Sequence, residues 1–309
     1  MKKIFVILLS LSLLVPAFGQ ETYSQDEFLR RYNNLTERVG ASGVGVETLL
    51  NKWEEVWPDD VNHRLARFSF CFNRCQSSRI VPMDRDRYLG NPPLIPMTDS
   101  LGKKVNYFEV YDYDDELFAS ANSAITQAIA ARENRLDWRF IKINALMAYE
   151  KEEPEMALQE LKALADYNFR RNPDWEHDQM GKVSPEQFKG LMQDYCVALF
   201  QIGSTSSAEA FRSLSEHMLG YCKDEPMFLD NLGSYYLVKK DYKKARKYFD
   251  QVLKKHPGDM TALKNGILMA RSLKDVKLEK KYLSLMAAHG ETETDRMSAR
   301  TRLKAYEKK

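Results

Sequence analysis

The chain has 309 residues, with 46 Lys and Arg against 44 Asp and Glu, 44% hydrophobic residues and 29% charged ones. This balance lacks the basic excess of a nucleic-acid binder, so no nucleic-acid partner is expected. The length and composition fit a soluble, mostly helical protein able to bury a sizeable core.

The first residues, MKKIFVILLSLSLLVPAFGQ, read as a secretory signal peptide over 1–19. Lys2 and Lys3 precede an apolar run from Ile4 to Phe18, and Ala17 and Gly19 are small residues at the spacing of a cleavage site. As a helix that run spans about 22 Å, short of a hydrocarbon core of about 30 Å, so a cleaved leader is expected rather than an anchor. Gln20 would then be the first residue, and no cysteine stands at the cut to take a lipid. Removal of Lys2 and Lys3 leaves 44 basic against 44 acidic residues. The expected location is the periplasm or the outside of the cell, with no membrane insertion after cleavage.

Residues 24–39 open with Ser24 and Glu27, a capping box, and carry an apolar stripe of Phe28, Leu29, Tyr32, Leu35 and Val39. A second helix ends at Trp53, Trp57 and Pro58, and VNHRLARFSFCFNRC gives a third with Leu65, Phe68, Cys71 and Phe72 facing in. The pattern then changes. In PLIPMTDSLGKKVNYFEVYDY, residues 93–113, Asp99, Ser100, Leu101 and Gly102 carry the chemistry of a tight turn between two strands. Pro92, Pro93 and Pro96 mark the first of these strands as an edge. A phosphate loop would need glycine at Met97 and a hydroxyl at Lys104, so nucleotide binding is not expected. Asp114 or Asp115 caps the helix that follows.

Helical pairs continue over 138–167 and 184–222. Residues 226–259, PMFLDNLGSYYLVKKDYKKARKYFDQVLKKHPGD, then place Leu229, Leu232, Gly233 and Tyr236 on one helix. Tyr242, Ala245, Phe249 and Val252 lie on a second, which Pro257 closes. Gly233 and Ala245 mark the closest approach of the two helices, and the aromatic residues fill the space around it. This stretch resembles a tetratricopeptide repeat (TPR). The looser pairs before it, a divergent pair over 260–289 and a polar capping helix over 292–309 extend the resemblance. The expected fold class is all-α: one TPR-like α-solenoid over 20–309, with about five helix pairs and a small β-hairpin insertion over 76–114. The whole chain resembles the signal-peptide-bearing TPR proteins of bacterial envelopes.

The resemblance implies a non-enzymatic scaffold that holds a protein or peptide in a concave groove lined by outward positions of the first helices. These positions map to Asp230, Asn231, Ser234 and Leu237, with Met227 beside them, and to Lys264, Asn265 and Arg271, with Thr261 and Leu268 beside them. Asp230 stands where the carboxylate clamp of some TPR domains has lysine, so a generic peptide mode is expected; the alternative for each residue is packing against a neighbouring helix. A second surface is Tyr107, Tyr111 and Tyr113 on the acidic aromatic strand, which offers an alternative function as a glycan-binding or glycan-acting envelope module. The lysines of 243–254 read as a solvated convex face. No catalytic residue, metal or cofactor is expected, because the five histidines are scattered and HExxH, CxxC and GxSxG are absent. Cys196 and Cys222 fall on successive helices, where a disulfide and buried free thiols are both open.

Overall fold

A computed structural model describes residues 23–307, and the expected leader over 1–19 lies outside the described residues. The described chain forms six consecutive helix pairs. These are α1 (Gln25–Val39) with α2 (Val46–Val56), α3 (Val61–Arg74) with α4 (Asp115–Ala131), and α5 (Leu136–Glu150) with α6 (Glu155–Arg171). They continue as α7 (Pro185–Ile202) with α8 (Thr205–Tyr221), α9 (Pro226–Val238) with α10 (Tyr242–Lys255), and α11 (Met260–Ser272) with α12 (Val276–His289). A last helix, α13 (Glu293–Glu307), packs on α12. Within each pair the helices pack together, and first helices also meet the next first helix, as in α1 on α3, α7 on α9 and α9 on α11. This is the stacking of a TPR-like α-solenoid.

The sequence punctuates these helices itself. Ser24, Asp60, Asp114, Ser184, Ser204, Asp241, Asp259 and Asp275 are N-caps whose side chains accept backbone N–H bonds from the first turn. Each such cap contributes about 1 kcal/mol and fixes where a helix begins. The apolar residues between caps then form one core through α5–α9, a second through α9–α13, and an N-terminal cluster centred on Trp53. Trp53 stacks on Phe28 at 5.7 Å and donates its indole N–H to Asp60 Oδ2 at 2.9 Å, so its one polar atom is satisfied inside the core. In α13 the buried residue is Ala299, while Met297 points out.

Between α3 and α4 the chain makes β1 (Gln76–Met83), β2 (Ile95–Thr98) and β3 (Lys104–Tyr113), an antiparallel sheet in the order β1-β3-β2. The expected hairpin is β2–β3. Its turn is held by Asp99 Oδ1, which accepts from Leu101 N at 2.9 Å and Lys103 N at 2.8 Å, and Gly102 takes φ 80°. The strand β1 is additional: QSSRIVPM has no apolar alternation, because an edge strand with little buried surface does not require one. Asn106, Phe108 and Val110 of β3 are buried; Arg85 O accepts from Asn106 Nδ2 at 2.7 Å and Tyr88 meets Phe108 edge-on. A two-residue ladder, β4 (Glu176–His177) with β5 (Gly181–Lys182), shapes the loop between α6 and α7 around the buried Trp175.

Candidate functional site

The first helices from α5 to α11 are joined side by side by polar side chains. Tyr195 on α7 donates to Asn144 Oδ1 on α5 at 2.9 Å. Gln193 and Asn231 exchange two amide bonds between α7 and α9, at 2.9 and 2.7 Å. Asn265 on α11 donates to Ser234 Oγ on α9 at 3.0 Å. Each net bond contributes about 1 kcal/mol, and together they fix the spacing of a layer that apolar contact alone would leave free to slide.

One helical turn from a ladder residue, on the same face, lies an exposed aliphatic side chain in three of the four helices. Ile141 precedes Asn144 and is 38% exposed; Val197 follows Gln193 at 40%; Leu268 follows Asn265 at 53%. Charged groups flank them: Asp194 is exposed, Lys264 lies 3.7 Å from Asp295, and Arg271 bonds Glu279 at 2.9 Å. The layer therefore presents separate apolar knobs among charges on a rigid base.

The expected groove residues divide into two groups. Lys264 and Arg271 are exposed, and Ser234, Leu237 and Asn265 are half-buried. Asp230 and Asn231 do not face outward: they are 4% and 7% exposed, because α9 is packed on by α7, α8, α10 and α11. Asn231 is an internal strut that also donates to Ser215 Oγ at 3.1 Å. Asp230 leaves Oδ1 without a partner among the described residues, and burial, reinforced by the neighbouring Asp259, pushes its carboxyl up to about 8. Ile141, Asn144, Gln193, Tyr195 and Val197 are missing from the expected set. The amide and hydroxyl residues at ladder positions are the one sequence signal that points to this layer.

On the insertion, Tyr111 is exposed, while Tyr107 and Tyr113 are partly buried. Tyr113 is occupied by aromatic neighbours, Tyr149 at 5.8 Å and Phe118 at 6.3 Å, so Tyr111 is the ring most open to stacking. All four cysteines are free thiols. Cys196 is fully buried beside Ser215 Oγ at 3.6 Å, and burial pushes its thiol up to about 12, an unreactive state. Among the described residues no group of three or more His, Cys, Asp and Glu is placed to hold a metal, and no helix is long and apolar enough to cross a membrane.

No family model and no curated protein matches the chain. Among solved structures it is similar to one described as "Functional Characterization of Pseudomonas Aeruginosa pilF", at 12% identity and a TM-score of 0.34, over 90% of this chain and 96% of that one. It is also similar to "Assembly Chaperone of RpL4 (Acl4) (Residues 1-338)", at 11% identity and a TM-score of 0.34, over 93% of this chain and 99% of that one. Similarity at that level carries nothing about function, and the fold assignment stands on the helix pairing itself.

Proposed function

We propose that this protein is a non-enzymatic scaffold that holds a protein or peptide partner on its layer of first helices, and that it works in the bacterial cell envelope. The observation that carries the binding reading is the polar ladder Asn144–Tyr195, Gln193–Asn231 and Ser234–Asn265, with Ile141, Val197 and Leu268 exposed beside it. A layer fixed in this way presents apolar contacts already in place, so a partner loses only its own freedom on docking. Exposed aliphatic residues singly among charges suit an amphipathic or extended segment better than a flat apolar face. The envelope reading rests on the leader pattern of residues 1–19.

A photo-crosslinking residue placed at Val197 or Leu268 in cells is expected to trap a discrete protein partner, and the same residue at Lys243 or Lys247 on the lysine-rich helix α10 is not. Equal capture from both faces, or none from the first helices, would overturn the binding reading. Cell fractionation with N-terminal sequencing tests location separately, the expected first residue being Gln20.

A further inference from the structure

The strand β3 is ten residues long, but its partner on one side, β2, is only four. In an antiparallel ladder the N–H and C=O of one residue point to the same side, and the side alternates along the strand. Leu94 N donates to Tyr107 O at 2.8 Å, so Tyr107 faces β2. Asp114 N donates to Cys75 O at 2.8 Å, so Asp114 faces β1. By this alternation the backbone groups of Glu109, Tyr111 and Tyr113 point to the β2 side, beyond its end at Ile95 opposite Tyr107. None of the three has a backbone partner on that side among the described residues. Pro92 and Pro93 precede β2 and have no N–H to donate, so the chain's own loop cannot extend the ladder there.

This open half-edge is reachable from solvent at Glu109 and Tyr111. It borders a cavity of about 470 Å3 whose walls include Tyr88, Leu94, Phe108, Tyr113, Ala148 and Lys151. Gly90 packs against Gln201 of α7, where an added Cβ would lie 3.1 Å from the Gln201 carbonyl oxygen, and Arg85 pairs with Glu152 at 2.6 Å. The outer wall is thereby pinned to the solenoid. Lys151 is already paired with Asp112 at 3.3 Å, whereas Glu109 has no ion partner among the described residues.

We propose that this slot is a second binding site, which takes an extended peptide segment of another protein as an added strand on β3. Its backbone pairs with Glu109 and Tyr111, one large apolar side chain enters the aromatic cavity, and a neighbouring basic residue meets Glu109. A row of outward donors and acceptors at strand spacing calls for a polypeptide backbone rather than a small apolar molecule. The site is built on β3 and adjoins the first-helix layer at Ala148 of α5, but it uses none of the exposed residues Ile141, Val197 and Leu268.

The test is a random heptapeptide display selection on the mature protein, with enriched peptides measured by fluorescence anisotropy. Two variants probe the slot. Tyr111→Pro removes an outward N–H without touching the β1 ladder, and Ala148→Trp fills the cavity; a helical circular-dichroism signal and an unchanged melting temperature establish that each is folded. Enriched peptides are expected to carry an apolar residue beside Lys or Arg, and to lose affinity about tenfold or more in each variant and on N-methylation of alternate amides. Leu268→Glu, which addresses the first-helix surface, is expected to leave them unchanged. The proposal is overturned if no peptide is enriched, or if binding survives both slot variants or falls only with Leu268→Glu. It is also overturned if Tyr111→Pro dissociates a dimer of the protein, which would make a second copy the occupant.

Discussion

Gly233 on α9 lies against the ring of Phe249 on α10 so closely that a Cβ added to it would be 2.4 Å from Phe249 Cε1. Gly266 on α11 stands in the same relation to Tyr282 on α12, with a less severe 3.0 Å. Two effects oppose each other when either becomes alanine. Alanine in place of glycine inside a helix is worth about 1 kcal/mol in propensity. A methyl forced into a buried ring costs about 1–3 kcal/mol. For Gly233→Ala the clash wins, because Phe249 is fully buried and its ring cannot swing out; urea denaturation is expected to show a loss of roughly 1–2 kcal/mol. For Gly266→Ala the two effects are expected to cancel to within about 1 kcal/mol.

Asp230 and Asp259 place two carboxyls together at the junction of α9 and α11, and Asp230 is held protonated up to about 8 by its burial. The folded state therefore retains a proton that the unfolded chain, with an ordinary value of about 4, has released. Stability is full below the unfolded value and falls as the pH rises from about 4 to about 8. Asp230→Asn keeps the shape and removes the titration. The difference between its urea midpoint and that of the native protein is expected to grow in the variant's favour as the pH rises from 5 to 9. A difference that does not change over this range would refute the assignment.

Much of the fold is legible because its determinants are local. The spacing of Gly233, Ala245 and Phe249 is a steric code for two helices in close contact, and Asp99 with Gly102 is a turn code. What the sequence conceals is non-local. Asn144 and Tyr195 are 51 residues apart, and no periodicity announces that they bond across α5 and α7. Asp230 and Asn231 read as outward because the repeat register maps them onto groove-lining positions of a first helix. Four neighbouring helices bury them, and their polarity serves a strut and a carboxyl pair instead. The open edge of β3 is hidden for a similar reason: it exists only because β2 is short, and strand ends are among the least defined features of a pattern.

His63 is buried against the edge of Trp53 at 5.7 Å, with neither ring nitrogen hydrogen-bonded to a described residue. Burial, and next the charge of Arg67, lowers its pKa below the ordinary histidine value. A depressed value means that the unfolded chain takes up the proton first, so stability is complete above about 6.5 and is lost as the pH falls below it. His63→Leu removes two unsatisfied polar atoms at the expense of one edge-on aromatic contact. Thermal melts are expected to show a gain of roughly 1 kcal/mol at neutral pH. The gain should widen at pH 5.5, where the native histidine is under pressure to charge.

Glu279 joins the last helix to the solenoid. It occupies the fourth position after the N-cap of α12, where α10 has Ala245, and is 3% exposed. Its carboxylate accepts from Arg271 Nε at 2.9 Å and from Tyr306 Oη at 2.7 Å, and lies 2.7 Å from Arg302 Nε. Burial by itself would raise its pKa, but the bonds from Arg271 and Tyr306 and the charge of Arg302 outweigh it and leave the group below the usual glutamate value. Stability from this cluster is therefore present above the unfolded value and lost as the pH falls toward the folded one. Glu279→Ala leaves two arginines facing each other without their shared anion and removes the bond that anchors Tyr306. Both guanidinium groups reach solvent, so the loss is expected to be about 2–3 kcal/mol, less than that of a fully buried pair. The loss should be local. Amide exchange in α13 is expected to rise toward that of an unpacked helix while α9 and α10 stay protected, whereas a uniform rise along the chain would show that the cluster supports the whole fold rather than its cap.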